Sequence, residues 1–254
     1  MMLDAGSCLR DWQPEWVFVS HSHDDHLKGL PYICTKEGGV TVYCPEDMTE
    51  LIEKYVYHQF CTNSGKVLDL KKMKWKLVGL KGGDTFDFGK HNLHVKVFQC
   101  FHSIPCLGFG FSEKRKRLRP ALQGSPPAHL AALRKAGQAL QEDWYKPLFV
   151  YLGDTHTDVF EKNPDLFTYP TIIVECTFLE DDPALISRAR DNGHVHWNLL
   201  KPIILTHPDI TFVLIHFSLR YQEKEIILFF EKESQKEKIK NIVIFAGEGS
   251  LERT

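Results

Sequence analysis

Five short runs of apolar, β-branched or aromatic residues end abruptly in histidine, aspartate or glycine: WVFVSHSHDDH, HVKVFQCFHS, LFVYLGDTH, TIIVECTF and TFVLIHFS. Runs of this length and composition predict strands. Each delivers its polar residues at the same kind of place, the end of a strand. Between them, DMTELIEKYVYHQF, SPPAHLAALRKAGQAL and EKEIILFFEKESQKEK carry apolar residues at three- and four-residue spacing, the period of a helix with one buried face. Strands mixed with helices predict an α/β layered architecture. The pattern breaks between Glu113 and Pro127, EKRKRLRPALQGSPP, where charge, proline, glycine and serine predict a loop-like excursion from the core. The lysine-rich stretch after Glu231 reads as the solvated face of a helix.

The strand ends hold the chemistry. The densest is HSHDDH, His21 to His26, with four potential ligands in six residues of a chain that has 13 histidines in all. On an extended segment His21 and His23 project to the same side and can share one metal ion, while Asp25 and His26 in the following turn can reach a second. Two ions need more donors than one loop offers, so further ligands are expected at later strand ends. His102 follows VKVFQCF, Asp154 follows LFVYLG and His216 follows TFVLI. An aspartate suits the shared position, because each carboxylate oxygen can face one cation and its charge offsets their repulsion at a separation of about 3.5–4 Å. The expected arrangement is His21, His23 and His102 on one ion, Asp25, His26 and His216 on the other, and Asp154 between them. Asp24 is expected to face away. A water shared by two divalent cations ionises near neutral pH, so the predicted reaction is hydrolysis through a metal-bridged hydroxide. The His-rich shell suits zinc best, and manganese or iron fits the same mixed His/Asp set.

Composition narrows the setting. With 254 residues and 43% hydrophobic content the chain can bury a sizeable core, and a single domain over residues 1–254 is expected. The 31 basic and 33 acidic residues leave a formal charge of −2, which excludes a surface that attracts polyanions all round; any basic footprint is local. Seven cysteines (Cys8, Cys34, Cys44, Cys61, Cys100, Cys106 and Cys176) occur singly, the usage of reduced core residues in a cytoplasmic or nuclear protein. The N-terminus lacks the pattern of a signal peptide, and no stretch approaches the ~18 apolar residues of a membrane span.

HSHDDHLKGLP resembles the HxHxDH signature of the metallo-β-lactamase superfamily. FHSIPCLGFGF, YLGDTHTD, IIVECTFLEDD, NGHVHW and LIHFSLRY resemble, in that order, the downstream motifs of its RNase Z branch, the endonucleases that remove the 3′ trailer from precursor transfer RNA. The match runs from Leu3 to about Tyr221. The resemblance implies a four-layer αβ/βα sandwich with a dinuclear site at the rim between two sheets. It puts the family's metal ligands on His21, His23, Asp25, His26, His102, Asp154 and His216, the positions already reached from the residues. The catalytic set it implies is Asp25, Glu175 and His194, the last two as a coupled general acid at the leaving oxygen. Glu175 could instead orient a metal-bound histidine, and His196 is read as a structural residue. Relatives commonly pair, so a homodimer is implied as well.

Three features depart from the family. Only 20 residues precede His21, so strands that relatives carry upstream are expected to be missing from the first sheet. The family's histidine-serine-threonine motif reads His194-Val195-His196, without the hydroxyls. The interval from Glu113 to Pro147 lacks the Gly/Pro-rich tip of the family's RNA-gripping arm, and no aromatic residue interleaves with Lys114, Arg115, Lys116, Arg117 and Arg119 to stack on bases. A weak grip on folded RNA is therefore expected. Two other readings remain open: a small-molecule hydrolase of the same fold cleaving a thioester, lactone or small phosphodiester, and an interaction protein that kept the fold without its metals.

Overall fold

The computed structural model describes residues 1–7, 13–35, 37–70, 73–88 and 92–247. The first sheet runs β1 (Met2–Leu3), β2 (Trp16–Phe18), β3 (Val40–Pro45) and β4 (Trp75–Leu80), side by side in chain order and all parallel. Its crossovers contain α1 (Asp24–Leu27), α2 (Leu30–Ile33) and α3 (Thr49–Ser64), the last closed by Gly65 at φ 66, a left-handed turn suited to glycine.

The second sheet begins as antiparallel neighbours β5 (Thr85–Phe88), β6 (Leu93–Cys100), β7 (Cys106–Leu118) and, after α4 (Pro127–Lys135), β8 (Gln141–Leu152). It then turns parallel through α5 (Asp158–Lys162), β9 (Thr171–Glu175), α6 (Pro183–Asn192), α7 (Trp197–Thr206), β10 (Thr211–Ile215), α8 (Glu223–Glu237) and β11 (Ile242–Ile244).

Alternation along the strands builds the layers. Val17 and Phe18 are neighbours on β2, yet Val17 packs with Leu30, Ile52 and Val56 of the first helical layer. Phe18 enters the opposite core, among Phe88, Val95, Val97, Phe109 and Phe111 between the sheets. A third core joins Leu152, Ile172, Val174 and Phe212 of the second sheet to Trp197, Leu200 and Phe230 on the outer helices. The order is therefore helix, sheet, sheet, helix, the expected four-layer αβ/βα sandwich. Strands β9 and β10 are covered on both faces, which is why TIIV and FVLI read as unbroken apolar runs.

The expected loop from Glu113 is not a loop. Pairing of β6 with β7 stops at Leu93 and Glu113, but β7 and β8 continue alone from Lys114 opposite Tyr145 to Leu118 opposite Gln141. This two-stranded extension ends in α4, none of whose residues is buried. Cross-strand pairs hold the charged run extended: Lys116 with Asp143, and Arg117 with Glu142 at 2.7 Å. The aromatics missing from the linear run arrive by pairing, with Lys114 over the Tyr145 ring and Arg117 over the Trp144 ring at 5.8 and 6.0 Å.

Cys34, Cys44, Cys61, Cys100, Cys106 and Cys176 are free thiols, all but Cys61 buried; Cys8 lies outside the described residues. Among the described residues no helix is long and apolar enough to cross a membrane.

Candidate metal centre

Five strand ends meet at one rim. His21 and His23 follow β2, Asp25 and His26 occupy the first turn of α1, His102 follows β6, Asp154 follows β8, and His216 follows β10. Their ligand atoms group as His21, His23 and His102; as His21, His26 and Asp154; and as Asp25, His26 and His216. All seven positions expected from the sequence thus come together. Glu175 at the end of β9 and His194 after α6 join the same cluster. Asp24 is exposed, as expected.

The hydrogen bonds fix which ring nitrogen each histidine turns inward. Asp4 is the hub. Its carboxylate accepts from the Ser20 backbone N–H at 2.6 Å, the Ser20 hydroxyl at 2.7 Å, the Tyr151 hydroxyl and His26 Nδ1 at 2.6 Å. With its proton committed to Asp4, Ser20 Oγ accepts from His21 Nδ1 at 3.0 Å. His102 Nδ1 donates to the Gly193 carbonyl at 3.0 Å. Thr177 gives its hydroxyl proton to Glu175, so His216 Nδ1 donates to Thr177 Oγ1 at 3.2 Å. His21 and His102 are thereby left with an unprotonated Nε2 facing the centre, the tautomer a metal ligand needs, while His26 and His216 turn Nε2 toward carboxylates, that of His216 lying 3.2 Å from Asp25 Oδ2, and carry there a proton that a metal would displace.

Those lone pairs crowd together. His23 Nδ1 lies 3.1 Å from both His21 Nε2 and His102 Nε2. His23 Nδ1 can donate a proton to at most one of these two acceptors, so the other lone pair is left facing the group, a place a cation would fill. His26 Nε2 is buried without a hydrogen bond, although Asp154 Oδ1 and Asp25 Oδ2 stand 3.4 and 3.5 Å away. A buried unpaired ring nitrogen is costly, and a cation removes that cost. Asp154 reaches toward both halves, with Oδ2 3.8 Å from His21 Nε2 and 3.3 Å from His216 Nε2. The residues present therefore fit divalent cations.

Electrostatics agree. Burial, then the neighbouring imidazoles, push His21 down to about 2, and burial lowers His23 and His102. Burial also disfavours charge on His26, but the carboxylates of Asp25 and Asp4 outweigh it and raise His26 to about 11. His216 is raised to about 9 in the same way by Asp25 and Asp154. Asp154 is raised to about 7, first by burial and then by repulsion from Glu175.

Glu175 departs from a shared general-acid role. It is fully buried, and its oxygens are taken by Thr155 N at 2.8 Å, Val195 N at 3.0 Å, Thr177 and His194 Nδ1 at 3.0 Å. Burial opposes its ionisation, yet the bonds from His194 and Thr177 hold it below the usual carboxylate range. Glu175 therefore positions His194 directly and His216 through Thr177, while His194 alone is partly open to solvent. His194 is correspondingly raised by Glu175 against the effect of burial. His196 is structural: its Nδ1 accepts from Asn198 N and caps α7, and its Nε2 meets the Glu180 carbonyl.

Sequence reasoning missed Asp4, Ser20, Tyr151, Thr177 and Gly193. Gly193 sits at φ 68, and a Cβ there would meet the His102 Cα at 2.6 Å, so only glycine lets these two segments touch. The available signals were LDAG before the first motif and NG before His194.

A family model described as a beta-lactamase superfamily domain matches residues 7–217. A tRNase Z of Arabidopsis thaliana is 32% identical over 232 residues, covering 88% of this chain and 80% of that protein. Among solved structures, the metallo-beta-lactamase fold protein YhfI from Bacillus subtilis superposes with a TM-score of 0.59 at 15% identity, covering 93% of this chain and 76% of that one. Human tRNase Z, short form, gives 0.51 at 20% identity, covering 93% and 77%. These two support the fold. With imidazoles and carboxylates brought together at five strand ends, an αβ/βα sandwich, and a relative this similar over most of both chains, the chain belongs to the metallo-beta-lactamase superfamily and, within it, to the tRNase Z family.

Proposed function

We propose that this chain is a zinc-dependent, binuclear phosphodiesterase that cuts the 3′ trailer from precursor transfer RNA. The observation that carries the metal reading is the crowding of His21 Nε2, His23 Nδ1 and His102 Nε2 at 3.1 Å. These three would hold one ion; Asp25, His26 and His216 would hold the other, with Asp154 shared. When bound, such a pair of cations supplies an acidified water as nucleophile and offsets charge on the phosphoryl oxygens. His194, fixed at Nδ1 by Glu175, presents its other nitrogen to the leaving oxygen and protonates it.

The RNA reading is supported by the β7–β8 extension. Residues 113–147 carry eight Lys and Arg against three Asp and Glu, a charge of +5 in a chain whose total is −2. The remainder is thus at −7, and a polyanion meets attraction mainly at this hairpin. The tRNase Z relative points to the same substrate. The free cysteines fit a reducing compartment, cytoplasm or nucleus.

The test is a substrate panel with zinc-loaded protein: precursor transfer RNA, bis-p-nitrophenyl phosphate and S-lactoylglutathione. Cleavage of the RNA at the trailer junction is expected, and turnover of the thioester alone would overturn the reading.

Zinc uptake should also release protons. His26 and His216, raised to about 11 and about 9, are protonated at pH 7 in the metal-free chain and must lose a proton to become ligands. Calorimetric titration in two buffers of different protonation heat should report about two protons released per chain. Zinc affinity should weaken as pH falls, because protons then compete better for both rings. A count near zero would remove His26 and His216 from the ligand set.

A further inference from the structure

Beside the metal centre, Phe178 follows β9 and is 4% exposed, its ring 6.4 Å from that of His194. Two guanidiniums lie over it: Arg220, in the turn after β10, with Cζ 5.4 Å from the ring centroid, and Arg188, on α6, at 5.9 Å. Both arginines are exposed. Neither forms an ion pair among the described residues, although the remainder of the chain outside the hairpin is rich in acid.

On α6 Asp191 accepts from the Ser187 hydroxyl at 3.3 Å, and the carboxylates that follow Phe178 are occupied elsewhere. Glu180 takes the Tyr221 hydroxyl, Asp181 takes the Asn198 amide at 2.7 Å, and Asp182 caps α6 through Ala184 N at 2.9 Å. A guanidinium laid on an aromatic face keeps its edge of N–H donors free and loses little further freedom on binding an anion. That edge matches two phosphate oxygens, which makes arginine the side chain of choice for a bidentate phosphate contact.

We propose that Arg188 and Arg220, seated over Phe178, form an anion clamp that holds a backbone phosphate flanking the scissile one on an RNA strand. The clamp rests on the phosphodiesterase reading above for its substrate. It stands at the same rim as the centre, because Phe178, Arg220 and His194 all follow elements whose ends converge there. It is separate from the β7–β8 hairpin, so the hairpin supplies long-range attraction while the clamp sets where the strand lies. Phosphate contacts of this kind fix register without reading sequence.

The test uses the zinc-loaded full chain hydrolysing bis-p-nitrophenyl phosphate while precursor transfer RNA is added as a competitor, which occupies the centre whether or not it is cut. Arg188→Ala with Arg220→Ala should raise the RNA inhibition constant about tenfold, through two lost charge-assisted contacts. The plot of log affinity against log salt should become shallower by about 1.4, the value for two phosphates on a single strand. Replacing both by lysine should restore most of the salt slope and only part of the affinity. An inhibition constant within twofold of wild type in the double alanine variant, or no inhibition of the wild type by RNA, would overturn the clamp. RNA that inhibits the wild type but emerges uncut would overturn the trailer-cleavage reading and leave the clamp standing. RNA cut by the wild type, with inhibition unchanged in the variants, would do the reverse.

Discussion

Replacing Asp154 by alanine should leave purified protein with at most one divalent ion per chain and lower hydrolysis by about 10⁴, because both halves of the centre lose their shared anion. The geometry gives this residue its weight. It is 3% exposed, faces His21 and His26 on one side and His216 on the other, and has no substitute carboxylate, since the oxygens of Glu175 are already engaged.

The metal-free behaviour of the same variant should run the opposite way. Burial, then the neighbouring Glu175, raise Asp154 to about 7, whereas the unfolded chain ionises this group near 3.8. Between those values the folded state holds a proton that the unfolded state has released, so the ionised residue destabilises the metal-free fold at pH 8. The effect diminishes as pH falls from about 7 toward 3.8 and is absent below that. In EDTA at pH 8, Asp154→Ala should therefore melt at or above the wild-type Tm, while the rise in Tm that zinc gives the wild type should vanish. Metal analysis and calorimetry with and without EDTA decide it. An unchanged zinc stoichiometry would contradict the bridging assignment.

How much of this was legible in the sequence follows from what each signal depends on. The five strands and their terminal ligands were readable because a strand buried in the sandwich is largely apolar, or alternates as β6 does, and the chemistry must begin where burial stops. WVFVSHSH and TFVLIH carry that switch within a single residue step. Three helices were readable from periodicity, and α3, α4 and α8 fall on the expected stretches, whereas α6 and α7 were not singled out. The charged run from Lys114 was misread as loop because its extended conformation depends on partners about 30 positions away, Asp143, Trp144 and Tyr145. The role of Glu175 was ambiguous for a similar reason. A glutamate at a strand end looks like an acid in waiting until Thr155 N, Val195 N and Thr177 are seen to take its oxygens. Asp4 was passed over because its local signal, LDAG, says nothing of its partners; its four donors come from Ser20, His26 and Tyr151, the last 147 residues away.

That hub supports the second large effect. Asp4→Ala should lower stability by about 3–5 kcal/mol, the range for breaking a buried charged network on one side. For a chain of this length that is a fall in Tm of roughly 10 °C. Zinc affinity should fall about 10- to 100-fold, as is usual when the partner orienting a ligand imidazole is lost. Part of the alanine effect is backbone, because Asp4 sits at φ 53, where Asp and Asn are tolerated better than Ala. Asp4→Asn separates the two: it keeps the left-handed backbone, but its amide NH₂ must face either the Ser20 N–H or the three donors gathered on the other oxygen. Asparagine should therefore retain much of the Tm yet still weaken zinc binding and release fewer protons on zinc uptake, since His26 loses one of the two carboxylates that raise it. An Asn variant with wild-type zinc affinity and proton count would show that His26 is oriented by something other than Asp4, and the chain of bonds from Asp4 through Ser20 to His21 would lose its place in the centre.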